Sequence, residues 1–597
     1  TPAGPLRAEC RRRLQTVAER AGEARASLRP AKLPEAAEAL AEILADLRDL
    51  RKTVGRTETA GPGIPHLLAL LEEKEQLAFR ALTAAAGLVF DAWTESPTAV
   101  AGGELEVTVT LWNGGPFPLR VPQSAGSLAS SRGWLESSHV FSLQAPDEEG
   151  RVRDSAGPLG TLDPGSRGTA TPSIRIAADA PVTVPYFLRE PREGPFYDFG
   201  TVDPSLRGLP FGPEPLEAIV RVELEIGERS VPLTLRRPVV TRNRDLALGE
   251  TRRPIRLVPR IEVEVAPDLL VWPENLGDRE ALEIQLRLHG EDARSGRLDL
   301  DTPPGWPAGE SPTFVLSSSR RELGTFLEVG RPGDIDRGRY IADVAAVTEE
   351  NERHALAVPL VRHPHVRPRP VPKPSRVEIS TFDLVLPPLR RVGYVRGAAD
   401  RVPETLSAVG IPLEEIPPGR LTEIDLGGYD ALIVGSRAYE SAPALHEATP
   451  RLNRYVREGG LLLVQFQRWE YFREGRPPVP VEMEGRGRRT TDETAPVEIL
   501  RPGHRAFTWP NRIGPDDWEG WVQERGLYYP TSWGEKVTPL LSLSEPGDPG
   551  QRGSLLVAEV GEGTWVYTGL AFFRQLPAGV PGGFRLFANL LGLEAPQ

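Results

Sequence analysis

The stretch RRVGYVRGAADRVPETLSAVG, residues 390–410, reads as a short apolar strand, a loop with one glycine and then a helix. Further short apolar runs follow at 431–434 (ALIV) and 461–464 (LLLV), and the helix-like segment ALHEATPRLNRYVREGG lies between them. Strands that alternate with helices indicate βαβ units and a parallel sheet. The pattern therefore predicts a doubly wound α/β domain over residues 376–597.

The start of the chain has a different pattern. Residues 1–88 are rich in Ala, Leu, Glu and Arg, and Leu40, Ile43, Leu47 and Leu50 recur at three- and four-residue spacing. That spacing places them on one face of a helix. We predict an α-helical connector over this region.

Two β-sandwich domains are predicted between these ends. Residues 89–250 contain the alternating segment GELEVTVTLWNGG and the hairpin-like EAIVRVELEIGERSVPLTLRRPVV, which favour a sandwich with long loops. Residues 251–366 contain REALEIQLRLHG, with the same alternation. Residues 367–375 are proline-rich and basic, which predicts an extended linker.

Composition excludes several classes of protein. The net charge is −12 and the arginines are scattered, which argues against a nucleic-acid partner. Cys10 is the only cysteine, so the chain can form neither an internal disulfide nor a thiolate metal cluster. No apolar run approaches the length of a membrane span.

Histidines offer little as metal ligands. Of the eight histidines only His363 and His365 are close in sequence, and both sit in the proline-rich, linker-like segment RHPHVRPRPVPKPSR. An extended strand would place them on the same side, where a weak surface metal site is conceivable. We favour a solvated segment and predict no metal ligand in the chain.

The loops that follow the predicted strands lack known catalytic motifs. Gly397 stands alone in RGAAD, without the glycine spacing of dinucleotide or phosphate loops. Ser436 ends a strand, but GSRAYE is not a nucleophile elbow and His446 is the only local base. Capping of a turn or helix accounts for Ser436 and Asp400. We predict no catalytic residue.

The same edge is where a ligand site of such a sheet would lie. Ligands of open α/β sheets bind beyond the carboxyl ends of the strands. Polar side chains recur at these predicted strand ends and loops, namely Arg396, Asp400, Arg437, Tyr439, Gln465 and Gln467, and all but Gln467 are candidate ligand-binding residues.

A second group lies in PNRIGPDDWEGWVQERGLYYPTSW, where the candidates are Asn511, Arg512, Trp518 and Trp521. Aromatic faces with amides and carboxylates suit a sugar, because ring faces stack and hydroxyls accept and donate hydrogen bonds. The same residues would equally anchor an irregular insertion by burying tryptophans and forming ion pairs. Both interpretations stay open at the level of the residues.

Several long motifs keep the order of a known family. VGYVRGAADRVPETLSAVG, YDALIVGSRAYE, LNRYVREGGLLLVQFQ, PNRIGPDDWEGWVQERGLYYPTSW and YTGLAFFRQLPAGVPGGFRLFANLLG resemble the C-terminal region of large bacterial PIG-L (LmbE-like) deacetylases. The segment 251–366 resembles the α-galactosidase-associated sandwich of such proteins. The C-terminal domain is similar to the class I glutamine-amidotransferase-like fold, without its cysteine nucleophile.

The resemblance implies a parent activity that this chain lacks. Family members are zinc-dependent hydrolases of C–N amide bonds that deacetylate N-acetylglucosamine-type sugars. Their His-Pro-Asp-Asp-Glu-like motif is absent here, so zinc is expected only in a catalytic domain located before Thr1 or in a separate chain. That domain is the expected partner. The resemblance also implies a secreted, periplasmic or cell-surface location.

Three functional hypotheses follow. The first is an accessory region that binds a glycan or acts as a scaffold for a PIG-L deacetylase domain. The alternative is a structural protein that forms an extracellular multimer through edge strands or helices, which makes a homo-oligomer possible. The third is an unrecognised hydrolase that uses Ser436.

Overall fold

A computed structural model describes residues 5–56, 63–131, 133–145, 159–192, 194, 196–307, 309–333, 336–472, 476–485, 487–545, 547 and 549–596. The chain is multidomain, with an N-terminal helical region, a long mostly β middle and a C-terminal α/β region. The expected domain junction at Thr1 lies outside the described residues. No helix among the described residues is both long enough and apolar enough to cross a membrane.

The N-terminal region consists of the helices Pro5–Ala26, Leu33–Gly55 and Ile64–Ala85. The face predicted from sequence is the packed one, since Ile43, Leu47 and Leu50 are buried. The hydrophobic core of the helices continues into the first β region. Arg48 Nη1 donates to the Pro232 carbonyl at 2.9 Å across this junction. The helices therefore share a core with the adjoining β region.

The first β region is built from two sheets whose inner residues belong to the same hydrophobic cluster. In spatial order, one sheet consists of Gly249–Pro254, Val240–Asp245, Leu88–Thr94, Thr108–Asn113 and Arg167–Ala170. The other consists of His139–Phe141, Gly126–Ser130, Leu216–Ile226, Leu119–Arg120 and Thr161–Leu162, with Arg229–Pro238 added beside Leu216–Ile226. Shorter pairs are Thr98–Val100 with Arg256–Val258, and Glu104–Glu106 with Ser173–Arg175.

The second β region also has two sheets around one core. One sheet consists of Ile261–Ala266, Arg279–Leu288 and Glu322–Gly330. The other consists of Leu269–Val271, Arg376–Thr381, Gly338–Thr348, Arg294–Asp301 and Thr313–Leu316, with Arg353–His354 added beside Gly338–Thr348.

The prediction of an extended linker over 367–375 is wrong. Val366–Pro370 pairs with Leu360–His363 as a hairpin, and Lys373–Pro374 pairs with Leu356–Ala357. An edge strand tolerates proline because the missing N–H costs no ladder hydrogen bond on its solvent side. Arg376–Thr381 then belongs to the second β region, not to the C-terminal domain.

The C-terminal sheet has seven strands. In spatial order they are Leu413–Glu415, Val392–Val395, Ala431–Val434, Leu461–Gln465, Gly563–Thr568, Leu555–Val560 and Thr538–Pro539. The first five strands run parallel to one another. Each of the last two is antiparallel to the strand before it in this order. Smaller strand pairs of this domain are Val481–Glu482 with Ser532–Trp533, Arg488–Thr490 with Gly526–Tyr529, and Val497–Ile499 with Leu541–Leu543.

Helices cover both faces of this sheet. The domain's helices are Val402–Ala408, Ala438–Ser441, Ala444–Arg457, Trp469–Phe472, Arg505–Thr508, Phe572–Gln575 and Pro581–Leu591. Val402–Ala408 and Pro581–Leu591 contribute to the core on one face, and Ala444–Arg457 contributes to the core on the other. The prediction of a doubly wound α/β arrangement agrees with this layering.

Candidate functional site at the carboxyl edge of the C-terminal sheet

The strand order creates a switch point between Val392–Val395 and Ala431–Val434. The helix after the first strand packs on one face of the sheet, and the helices after the second pack on the other. Ligands of open α/β sheets bind in the crevice beyond such a point. The loops that leave these strands carry Arg396, Asp400 and Arg437, so these three residues lie at the carboxyl edge of the sheet.

The crevice is closed by the contact between the two loops. A Cβ atom on Gly397 would lie 1.9 Å from the Ser436 carbonyl oxygen, and one on Gly435 would lie 2.3 Å from Asp400 Oδ2. The Ala398 N–H donates to the same Ser436 carbonyl at 3.0 Å. The loops pack backbone to backbone, which leaves no room for a ligand between them.

A buried polar network lies directly beneath this contact. Tyr394 Oη donates to Asp400 Oδ2 at 2.6 Å, and Gln465 Nε2 donates to Tyr394 Oη at 2.7 Å. The Ser436 hydroxyl donates to Gln465 Oε1 at 3.4 Å. Backbone N–H groups of Gly397 and Val402 add further donors to Asp400, at 3.2 Å and 3.1 Å. Each buried polar group is thus satisfied by another, as a structural network requires.

Burial shifts the titration of this network. Desolvation raises the pKa of Asp400, and hydrogen bonds from Tyr394 and from the Val402 and Gly397 N–H groups oppose that rise. Burial also raises the pKa of Tyr394 well above its usual value, helped by the nearby Asp400 charge. Shifted groups often mark functional sites. Here Asp400 is only 3 % exposed, so the shifts accompany a closed network.

The arginines at the rim are ion-paired. Arg396 Nη2 lies 2.9 Å from Glu404 Oε1 and 2.6 Å from Glu415 Oε1. Arg437, in the left-handed region at φ 57°, pairs with Glu440 at 2.7 Å. Both guanidinium groups reach solvent. Their charge is already balanced by carboxylates of the same domain.

Tyr439 is a core residue of this edge. It is buried, and its hydroxyl lies 3.0 Å from Thr449 Oγ1. Burial raises the pKa of Tyr439 to about 12. His446 Nε2 lies 2.8 Å from the Tyr439 carbonyl oxygen and does not pair with Ser436. The geometry therefore provides no serine–histidine pair of the kind that activates a nucleophile.

Three residues of the second predicted group, Asn511, Trp518 and Trp521, lie in the interior rather than on the surface. Trp518 and Trp521 are buried with ring centroids 5.5 Å apart, and Trp521 Nε1 donates to the Asp517 carbonyl at 3.0 Å. Asn511 Nδ2 donates to the Val385 carbonyl at 2.9 Å. The interpretation as an insertion pinned by buried tryptophans is the one that the packing supports. Arg512 alone of this group is exposed.

Two further residues complete the edge: Gln467, which the sequence pattern already indicated, and Tyr394, which it did not. Tyr394 joins Asp400 to Gln465, as described above. Gln467 Nε2 donates to the Gly435 carbonyl at 2.8 Å, and Gln467 Oε1 accepts the Tyr439 N–H at 3.1 Å. The sequence did contain a signal for Tyr394. It is a tyrosine in a strand that is buried on both faces, where its hydroxyl must find a hydrogen-bond partner.

The described residues do not include a cluster of side chains that could bind a metal ion. Among them, no three His, Cys, Asp or Glu side chains form a group that could hold an ion. His363 and His365 sit at the turn of the hairpin described above, with ring centroids 5.9 Å apart. The part of the chain that the structure describes therefore offers no set of ligands for the zinc of PIG-L-like deacetylases.

Comparison with known proteins adds no family. No family model matches the chain, and no curated protein does. Similar solved structures include a β-galactosidase from Rahnella sp. R3, with 18 % identity and a TM-score of 0.20 over 32 % of this chain and 26 % of that one. A second is α2-macroglobulin from Escherichia coli, with 9 % identity and a TM-score of 0.15 over 50 % of this chain and 17 % of that one. A third is red sea bream transglutaminase, with 10 % identity and a TM-score of 0.17 over 52 % of this chain and 34 % of that one. The chain thus matches about a quarter of the β-galactosidase. These TM-scores are too low to carry an argument.

Proposed function

We propose that this chain is the accessory, non-catalytic region of a PIG-L-type deacetylase that acts on N-acetylglucosamine-type sugars. The observation that carries the proposal is the closed switch point, where Asp400, Tyr394 and Gln465 satisfy one another in the place a ligand would take. A domain closed in this way contributes rigidity and surface rather than bond cleavage. In this proposal its fold is amidotransferase-like and has lost the nucleophile, because the only cysteine, Cys10, lies in the first helix.

Rigid contacts between the regions support a scaffolding role. The Ser380 hydroxyl donates to the Gly579 carbonyl at 2.9 Å, which ties the second β region to the C-terminal domain. Arg585 Nη1 donates to Asp383 at 2.8 Å nearby. The helices and the first β region share one core. An arm built in this way would hold a catalytic domain and its sugar substrate in a fixed relation.

The test compares the catalytic domain with and without this chain. The PIG-L-type domain encoded upstream or separately is assayed for acetate release from chitooligosaccharides, and calorimetry measures sugar binding to this chain alone. We expect a higher kcat/KM with the chain present and weak binding of long oligomers. Arg512→Gln should weaken that binding, and the distant Arg175→Gln should not. An unchanged rate together with no heat at millimolar sugar overturns the proposal.

Light scattering on the same sample separates this role from the assembly role. A monodisperse monomer supports the accessory proposal. A defined multimer of this chain alone, without sugar binding, would favour the structural alternative.

A further inference from the structure

A pocket of about 570 Å³ lies beside the first β region, away from the motifs of the C-terminal domain. The segments 183–187 and 211–215 form one side, the strand residues 252–256 form another, and the hairpin of Leu360–His363 and Val366–Pro370 closes it. Ligand pockets commonly have volumes of about 300–1,000 Å³ and lie where regions of a protein meet. The segment that sequence alone assigns to a linker thus forms a pocket wall.

The pocket lining is strongly basic. Six arginines line it: Arg252, Arg253, Arg256, Arg362, Arg367 and Arg369. Glu214 is the only acidic residue among the lining residues. This concentration of positive charge occurs on a chain whose net charge is −12. It is therefore a local feature and does not follow from overall composition.

Half of these arginines are engaged by the protein. Arg367 Nη2 pairs with Glu214 Oε1 at 2.6 Å, and Arg369 Nη2 donates to the Pro210 carbonyl at 2.8 Å. Both guanidinium carbons also lie over the Phe211 ring, at 4.8 Å and 4.5 Å from its centroid. Arg252 pairs with Asp91 at 2.8 Å. The contacts of Arg367 and Arg369 hold the hairpin against the first β region, and the Arg252–Asp91 pair lies within that region.

The other three have no such partner. Among the described residues, none forms a hydrogen bond or an ion pair with the guanidinium groups of Arg253, Arg256 and Arg362. Arg256 is half-buried, and burial lowers its pKa, with Glu262 opposing and the nearby Arg362 cation adding to the decrease. A half-buried cation beside a second cation is unfavourable unless an anion compensates it.

We propose that this pocket binds a small organic oxyanion, with a carboxylate or phosphate group held by Arg256 and Arg362. Guanidinium groups match both anions because they donate paired N–H bonds in one plane. The partly exposed Phe211 ring, with the proline-rich lining, offers an apolar surface for the body of the ligand. No residue of the C-terminal domain lines this pocket. Its ligand is therefore independent of the accessory role proposed above.

Three probes on one sugar ring test the proposal by calorimetry on the whole chain. These are glucose 1-phosphate, glucuronate and neutral glucose. We expect at least one of the two anions to bind, more weakly as salt is added, and glucose not to bind. Binding of only the phosphate or only the carboxylate identifies the recognised group. Equal binding of glucose and the anions, or no binding of either anion at tens of millimolar, overturns the proposal.

Two variants locate the site. Arg256→Gln and Arg362→Gln should each weaken anion binding by about tenfold or more, because each removes a charge-assisted contact. Arg175→Gln, an exposed arginine outside the pocket, should bind as the unchanged protein does. Arg362 lies on an exposed hairpin strand, so its variant folds even if the Arg256 variant does not. Anion binding that is unchanged in Arg362→Gln, and in Arg256→Gln where that variant folds, assigns the anion elsewhere and refutes the site.

Discussion

The Tyr394 hydroxyl donates to Asp400 Oδ2 at 2.6 Å, and both residues are buried. This bond joins the first strand of the C-terminal sheet to the loop that follows it. Gln465, from the strand two positions away in the sheet, donates to the same hydroxyl at 2.7 Å. The bond therefore helps to hold the loop in the position in which it packs against the Ser436 backbone.

Removing the Tyr394 hydroxyl should destabilise the C-terminal domain. Tyr394→Phe leaves the Asp400 carboxylate and the Gln465 amide buried with one partner fewer, which should cost about 1–3 kcal/mol in unfolding free energy. Urea unfolding followed by tryptophan fluorescence measures it. The control is Tyr197→Phe, whose ring is 43 % exposed and whose change should have little effect. Equal stability of the two variants would contradict the network.

Asp400 should make stability depend on pH in a defined direction. Burial raises its folded pKa above the unfolded value, near 3.8. The folded state then binds the proton more tightly, so the contribution of Asp400 to stability is complete below the unfolded pKa and is lost as pH rises through the folded pKa. Asp400→Asn lacks this titration. The stability advantage of the unchanged protein over Asp400→Asn should shrink from about pH 4 upward. Urea unfolding across pH measures this difference. A difference in unfolding free energy that stays constant or grows with pH would contradict a raised pKa of Asp400.

Close packing of the two loops should make Gly397 intolerant of a side chain. The Cβ of Gly397→Ala would meet the Ser436 carbonyl oxygen at 1.9 Å, so the backbone must move. We expect a loss of about 1–3 kcal/mol in unfolding free energy, as for other overpacked sites. Gly419→Ala is the matched control, because nothing lies within 4 Å of its added Cβ. Thermal melting of both variants decides the point, and indistinguishable melting would show that the loops are not in contact.

Trp521 should act on stability rather than on sugar binding. Its ring is 4 % exposed and packs 6.2 Å from Phe572, so Trp521→Ala should cost about 3–5 kcal/mol. Trp112→Ala removes a ring that is 50 % exposed and should cost much less. Unfolding and chitooligosaccharide titration are measured on both variants. A Trp521→Ala variant that keeps full stability but loses sugar binding would instead support the interpretation of Trp521 as a sugar-stacking residue.

Local sequence patterns predicted those helices and strands whose formation depends on the spacing of apolar residues. Ile43, Leu47 and Leu50 form the packed helical face, and the apolar runs from Val392 and Leu461 form parallel strands of one sheet. Apolar spacing is a property of neighbouring residues, so the sequence displays it directly. The linker prediction was wrong because Val366–Pro370 becomes a strand only through its distant partner, Leu360–His363, and through anchors such as Glu214.

By itself the sequence determined the helical start, the alternating strands of the middle and the alternation of strands and helices at the end, and it located polar residues at the carboxyl edge of the last sheet. Only the tertiary structure decided whether that edge is open. Closure depends on Gly397 meeting Ser436 and on Tyr394 reaching both Asp400 and Gln465. Those contacts join separate βα units, and the burial that turns a polar cluster into a closed network arises only when the units pack together.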